Sequence, residues 1–454
     1  DSRKTLTNLY HQLAAHRDPK TAADFFRESP WRVSDISGPR KRWMLLKFLE
    51  LACKLNLASA LLVSVDDSLG KKHKDTRHLE AVSFHHNHTD STRKKQVYSN
   101  GYVYVEVHIQ IGPIGFLFDT RLYLREKTVR QLNRRRSADS RLHFRSKYAL
   151  AREMLVELAA LLPKGYPVYV LFDSWYASAK LIKFCRRQRW HVICAVKTNR
   201  RLNRKRMDHH NQSLRNQRYQ RVTLPALDPS RPPRTYYVRS VQGHLEEVAD
   251  EVRGIISKRH PGDKRPKYFV CTDRTLSVQQ ALQYYQRRWP VEVDNWYLKE
   301  ALGLGDFRLQ SFEATQKWFA VVVLAMNYLQ YQAAVAYLQE QSVCSLTDVI
   351  RQHRLAHWRK FLRKALAQLL RSGDIDATIE SYQQYFAAVE ESADGRIAPP
   401  DMPFRAAYVQ LLRIRGDEEK AEVLAGQLKA AVIAGATEVL QTTPNGRRAG
   451  FPFV

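Results

Sequence analysis

Residues 166–197 read YPVYVLFDSWYASAKLIKFCRRQRWHVICAVK: an apolar run, a stretch with helical spacing, and a second apolar run. YPVYVLFD has the pattern of a buried strand ending in an acid, YASAKLIKFCRRQ that of a helix, and WHVICAVK that of another strand. Upstream, ASALLVSVDDS at 58–68 is also a short apolar run ending in acids. Residues 100–124 alternate through YVYVEVHIQIG and GFLFDTRLYL as two paired strands. KYALAREMLVELAALLPKG follows as an amphipathic helix closed by Gly165. Strands followed by β-α-β alternation define an α/β fold built on a mixed sheet.

Residues 1–58 read as helices: LTNLYHQLAAH and KRWMLLKFLELACKLN have helical apolar spacing, and SGPRKR between them reads as a basic turn. Residues 198–267 interrupt the β-α-β order with 17 Lys/Arg against 7 Asp/Glu. RVTLPAL, TYYVRSV and GIISKRH are small strands there, so the interval reads as an inserted β-rich module. KYFVCTD returns to the sheet, and Ser277 with Gln280 forms a capping-box pattern that opens the next helix. QKWFAVVVLAMNYLQYQAAVAYL is a long apolar helix, deeply buried or packed on a partner. The expected organisation is 1–58 as an N-terminal helical DNA-binding region, 59–197 as the first part of a catalytic core and 198–267 as the basic insertion. The second part of the core, with its Glu-bearing helix, follows at 268–335, and a helical assembly region at 336–454.

The 454-residue chain carries a formal charge of +29, which points to a polyanionic partner rather than a merely basic soluble enzyme. The charge is uneven. Residues 374–454 hold 8 Lys/Arg against 12 Asp/Glu, so the body is strongly positive and the tail is suited to protein contact. Five scattered cysteines without a CxxC pair argue against a zinc ribbon or a disulfide framework and favour a reducing cytoplasm. No run of about 18 apolar residues appears, so no membrane span is expected. The chain begins at Asp1, and further residues are expected before it.

The stretch that carries chemistry is YQRRWPVEVDNWYLK at 285–299. Tyr285, Arg288, Glu292 and Lys299 stand at i, i+3, i+7 and i+14, which on a straight helix confines them to an arc of about 60°. Pro290 should kink or divide that helix. An acid flanked by an aromatic and two cations suits a site that holds a metal ion against a phosphodiester. Asp66 and Asp173 end apolar strands, at the sheet edge where open α/β sheets form their sites. Together with Glu292 they offer hard oxygen ligands for Mg²⁺ or Mn²⁺, and two ions about 3.5–4 Å apart can activate one oxygen and stabilise another.

Tyr285-x2-Arg288-x3-Glu292-x6-Lys299 resembles the Y-R-E-K signature of a large superfamily of bacterial insertion-sequence DDE transposases. Asp66-Asp67-Ser68 is similar to the family's first D-x-[S/T] motif, with Ser where Thr is commoner, and Asp173-Ser174-Trp175-Tyr176 to its second. The resemblance implies a ribonuclease-H-like mixed sheet flanked by helices, interrupted by a β-rich insertion between the second Asp and the Glu. It further implies cut-and-paste transposition, in which transposon ends are cleaved and the freed 3′-hydroxyl attacks target DNA. Asp66, Asp173 and Glu292 would be catalytic metal ligands for about two Mg²⁺ or Mn²⁺ ions. Arg288 and Lys299 would hold phosphates and Tyr285 would contact the DNA end. The implied partners are terminal inverted repeats and target DNA, bound by a homodimer in the cytoplasm of a bacterium, at the nucleoid. Asp67 adjoins Asp66, but successive strand residues face opposite ways and only one of them can point inward; Asp66 fits the motif.

Lys71 and Lys72 after the first acid motif, and Arg204, Lys205 and Arg206 within the run Arg200–Arg206, are candidate DNA contacts, as is the run Arg134–Arg136; each also fits a solvated surface. His85, His86 and His88, with His73 and His78 nearby, read as a polar loop or phosphate-contacting patch in preference to a metal site. Two rival functions remain open at this point: a nuclease of the same fold that cleaves without joining, and a non-catalytic DNA-binding protein on the same scaffold.

Overall fold

The computed structural model describes residues 4–6, 20–57, 60–92, 94–227, 231–245, 248, 251–340 and 344–381. LTNLYHQLAAH and the tail beyond 381 lie almost wholly or wholly outside them. Two compact units divide the chain: Ala23–Val349, and the terminal segments Asp1–Ala22 with Ile350–Val454.

The first unit is organised by one sheet. Strand β1 (Leu61–Lys71) pairs antiparallel with β3 (Tyr98–Ile111) and parallel with β5 (Val168–Phe172). β3 in turn pairs antiparallel with β4 (Ile114–Tyr123), and its first residues with the short β2 (Ser83–His86). β5 pairs parallel with β6 (His191–Val196). The order β4-β3-β1-β5-β6, three antiparallel strands followed by two parallel ones, is a ribonuclease-H-like sheet. Gly112, at φ +54, makes the tight β3–β4 turn possible.

The interval 198–267 is β-rich, and its strands do not stand apart as a separate sheet. β9 (Gln220–Leu224), β10 (Arg234–His244) and β11 (Glu251–Lys258) continue the main sheet through β12 (Lys267–Cys271), which pairs antiparallel with β6. Only β7 (Arg201–Leu202) and β8 (Lys205–Arg206) form a small ladder of their own, turned by Asn203 and Arg204 at φ 50 and 62.

Alternation along the strands splits the core in two. Val63, Val65, Val105, Val107, Val170 and Phe172 face the larger layer, with α4 (Lys147–Leu161) and α5 (Ala179–Arg187). Leu62, Tyr169, Leu171 and Ile193 face the smaller one, with α7 (Val278–Gln286). Earlier in the chain come α3 (Glu126–Asn133) and α6 (Met207–Ser213), whose Met207 joins the larger layer. Of the N-terminal helices, α1 (Lys20–Arg27) is short, and α2 (Val33–Lys54) is part of the core through Met44, Leu45, Phe48 and Leu51. SGPRKR is therefore no turn: it lies inside α2, Pro39 included. The reason is long-range. Arg40 and Lys41 are buried against Asp119 at 3.0 and 3.1 Å, and the apolar face that follows fixes the helix at the cost of one backbone bond.

The long apolar helix is α9 (Phe312–Glu340), the one helix among the described residues long and apolar enough to cross a membrane. It buries Trp318, Phe319, Val323, Met326 and Asn327 within the unit, which makes it a core helix. In the second unit, α10 (Leu346–Ser372, from Ile350 on) and α11 (Ile375–Ser381) pack through Ala365, Leu369, Ile375 and Ile379. All five cysteines are unpaired.

Candidate active site

The stretch 285–299 is not one straight helix. Ser277 and Gln280 cap α7 reciprocally, Oγ accepting from the Gln280 amide at 3.1 Å and Oε1 from the Ser277 amide at 2.9 Å. α7 ends at Gln286, and α8 (Pro290–Trp296) starts with Pro290 at its first turn, where the missing N–H costs nothing. A wide helical turn, Tyr297–Ala301, then carries Lys299. Pro290 thus divides the motif between Arg288 and Glu292, and the arc expected for a straight helix does not describe it.

Tertiary packing nonetheless brings the motif to the end of β5 and to Asp66, which does not end its strand as expected: β1 runs on to Lys71 because its pairing with β3 continues after that with β5 stops. Arg288 donates from Nη1 to Asp66 Oδ2 at 2.5 Å and from Nη2 to Glu292 Oε1 at 3.2 Å, so one guanidinium spans both carboxylates. Asp173 lies one residue beyond the Val65–Phe172 pair of parallel β1 and β5, next to Asp66 along the sheet edge. Its Oδ1 accepts the backbone N–H groups of Trp175 and Tyr176 at 2.8 and 3.1 Å, which fixes the carboxylate while leaving the second oxygen outside that turn. Burial pushes the Asp66 carboxyl up to about 7, Arg288 pulls it down, and Glu292 and Asp173 push it up again. Burial alone would lower Arg288; Asp66, Tyr285 and Glu292 outweigh it and hold the guanidinium above its ordinary value. Tyr285 packs edge-on against Phe269 with centroids 4.8 Å apart, and burial pushes its phenol up to about 12.

Asp67 faces the other way. Lys147 Nζ donates to its Oδ2 at 2.5 Å and the Tyr176 hydroxyl to its Oδ1 at 3.0 Å. The alternation of β1 therefore assigns Asp66, not Asp67, to the face that carries Glu292. Lys299 reaches back to β1, donating to Ser68 Oγ at 2.6 Å and to the Leu69 carbonyl at 3.0 Å; burial lowers its pKa.

Glu106 escaped sequence reading. It sits directly across from Asp66 on β3, is fully buried, and neither of its carboxyl oxygens has a hydrogen-bond partner. Burial first, then Asp294, Asp66 and Glu292, hold it well above the ordinary carboxylate range. The available signal was the alternation YVYVEVH, which sets Tyr102, Tyr104, Glu106 and His108 on one face. That face is covered by α8 and α9: Tyr104 bonds Asn295 at 2.5 Å, His108 bonds Asp294 at 2.6 Å, and Phe319 packs edge-on against Tyr102 and Tyr104.

The remaining candidates are placed as follows. Lys71 is exposed and paired with Asp90 at 2.7 Å. Lys72 is turned into the protein, over the Phe307 ring and donating to the Phe307 carbonyl at 2.7 Å, so its ammonium serves the fold and not a free surface. Arg204 stands at the exposed tip of the β7–β8 turn, while Lys205 bonds Ser213 at 2.6 Å and Arg206 pairs with Asp208 at 2.7 Å. His86 and His88 stack edge-on with centroids 4.3 Å apart. Among the described residues, no three His, Cys, Asp or Glu side chains stand close enough to hold a metal as they are. The carboxylates nevertheless fit a hard cation by their chemistry: they are oxygen-only donors whose mutual repulsion raises Asp66, and Arg288 supplies the positive charge between two of them.

The ribonuclease-H-like sheet carries one acid within β1, where its pairing with β5 stops, a second just past the end of β5, and a third on a following helix, an arrangement suited to chemistry on a polynucleotide. Residues 145–328 match the family model of the transposase DDE domain, a segment that includes Asp173 and the whole of Tyr285–Lys299. No curated protein matches the chain. The chain carries a DDE transposase domain of the insertion-sequence type, an enzyme domain that acts on DNA, and such domains generally use divalent metal ions.

Proposed function

We propose that this protein cleaves transposon DNA ends and joins them to target DNA, with Asp66, Asp173 and Glu292 as its catalytic carboxylates. The observation that carries the reading is the Arg288 bridge, which ties Asp66 in the middle of the central strand β1 to Glu292 on α8 across a gap in sequence of more than two hundred residues. The three acids would hold Mg²⁺ or Mn²⁺, two ions in the fullest form. When bound, such ions supply charge stabilisation to an in-line displacement at phosphorus. Asp173 is held for this role by the two backbone N–H groups that fix one of its oxygens. Arg288 keeps Asp66 and Glu292 together without a metal, and its planar fork suits a phosphate oxygen once those carboxylates are otherwise neutralised. Lys299, bonded to Ser68 and Leu69, locks the turn after α8 onto β1. Tyr285 lies behind Arg288 and contacts the DNA end. Two ends must be cut together, so a homodimer on DNA, acting at the bacterial nucleoid, completes the reading.

The test uses duplexes taken from the DNA that flanks the chain's own gene, incubated with Mg²⁺ or Mn²⁺. Metal-dependent cleavage, and joining of pre-cleaved 3′ ends to a plasmid, are the expected results. Hydrolysis without joining would reduce the enzyme to a nuclease. Cleavage that survives in Glu292→Gln would remove Glu292 from the site.

A further inference from the structure

We infer that α10 is a second DNA-binding surface, which grips the phosphate backbone of a duplex through one face of the helix. This deepens the reading of the chain as a DNA-acting enzyme and rests on it. From Ile350 to Ser372 the sequence holds seven Lys/Arg and no Asp or Glu. A helix surface that is simply wet usually mixes both signs. Here Arg359 with Arg363, and Lys360 with Lys364, stand four residues apart, and Lys360 with Arg363 three apart, so like charges face each other along the helix. Such pairs disfavour the isolated helix, and a bound polyanion reverses the sign of that effect.

The geometry separates two faces. At about 100° per residue, Phe361, Leu362, Ala365, Leu366 and Leu369 centre on one side of α10. That side is occupied, since Ala365 and Leu369 are buried with Ile375 and Ile379 of α11 against them. Lys360, Arg363, Lys364, Gln368 and Arg371 centre on roughly the opposite side. With Ala367 and Ser372 they line an open groove of about 750 Å³ whose charged groups, among the described residues, are all cationic. Among the described residues, none of Lys360, Arg363 and Lys364 takes part in an ion pair with an acid. Cations packed along one face, with neutral donors between them and no acid, are complementary to a dense line of phosphates. The acidic segment 374–454 is a poorer match: its 12 acids are spread among 8 bases over 81 residues.

The experiment compares the full-length wild type with a variant carrying Lys360→Ala, Arg363→Ala, Lys364→Ala and Arg371→Ala. Alanine keeps the helix propensity, and circular dichroism with thermal melting confirms the fold. Binding of a fluorescent duplex of arbitrary sequence is measured across a salt series. The expected result is weaker binding and a log K against log salt slope shallower by about 3 to 4, since each neutralised phosphate contributes about 0.9. An unchanged slope overturns the inference. So does an unchanged slope accompanied by a change in molecular mass by light scattering, which would make α10 an assembly surface. Failure of the parent reading is distinguishable: a wild type without metal-dependent cleavage leaves the salt comparison intact.

Discussion

Asp66 and Asp67 share a strand but not an environment. On one face of β1, Lys147 and the Tyr176 hydroxyl neutralise Asp67 at 2.5 and 3.0 Å. On the other, Asp66 meets one guanidinium, itself shared with Glu292, and is surrounded by Glu292, Asp173 and Glu106. The first face is closed within the fold, while the second gathers four acids, two of which burial and mutual repulsion hold above the ordinary carboxylate range. A strand's two-residue period thus separates an acid paired within the fold from one that faces Glu292 only one residue away. On the proposed function Arg288 has two assignments, a structural one in the metal-free state and a phosphate-facing one during chemistry.

The largest expected effect comes from exchanging the two faces' acids for amides. Asp66→Asn should reduce metal-dependent cleavage about a thousandfold, the rate equivalent of several kcal/mol of lost charge stabilisation. Asp67→Asn should leave cleavage within about tenfold of wild type. Its cost falls on stability, on the order of 3 kcal/mol, because Lys147 keeps a partly buried charge without its counter-ion. The two variants are read by single-turnover cleavage and by urea unfolding. The opposite allocation, with Asp67→Asn inactive and Asp66→Asn merely unstable, would break the assignment of the faces.

A second prediction concerns pH. In the metal-free fold Asp66 titrates near 7, against an ordinary value of 3.8. Because its folded pKa lies above its unfolded one, the folded state binds the proton more tightly. The resulting stability is fully present below pH 4 and is lost as pH rises through 7, by at most ~4 kcal/mol. Unfolding free energies measured from pH 4 to 8 with a chelator present should therefore fall in the wild type and fall much less in Asp66→Asn. Parallel pH curves for the two proteins would show that burial of Asp66 does not set this dependence.

The parts of this contrast legible in sequence were those written locally. The apolar run ending in Asp173 marks the end of β5, and Ser277 with Gln280 marks a helix start; the run ending in Asp66 marks a strand but not its end, since β1 continues to Lys71. The period of β1 showed that only one of Asp66 and Asp67 can point inward. What sequence could not show was set at long range. Arg40 and Lys41 read as a basic turn because their partner, Asp119, is on another strand. Glu106 was not singled out because nothing in YVYVEVH reveals that α8 and α9 cover that strand face. The strands of 198–267 were found, but their attachment to β6 through β12 is a matter of pairing between distant segments. Pro290 was visible as a break, yet the return of Glu292 to Asp66 across that break depends on how α8 packs.

The smallest effect sharpens the comparison most finely. Ser68 shares the Asp66 face by alternation, and its hydroxyl accepts from Lys299 at 2.6 Å, while the Leu69 carbonyl accepts at 3.0 Å. Ser68→Ala removes one of two acceptors from an ammonium whose burial already disfavours its charge. The expected cost is only about 1 kcal/mol, since the carbonyl remains and Ala leaves no polar group of its own unpaired. Ser68→Thr keeps the hydroxyl on a strand position that favours a β-branched side chain, so its stability should stay at or near the wild-type value. Lys147→Met on the opposite face should cost more, about 2 kcal/mol, because it takes away the cation paired with Asp67 and leaves the Tyr176 hydroxyl to satisfy the carboxylate. Chemical denaturation of the three variants ranks them. If Ser68→Ala proved as costly as Lys147→Met, Lys299 would depend on Ser68 far more than two shared acceptors allow, and the wide turn after α8 would be held to β1 by that hydroxyl.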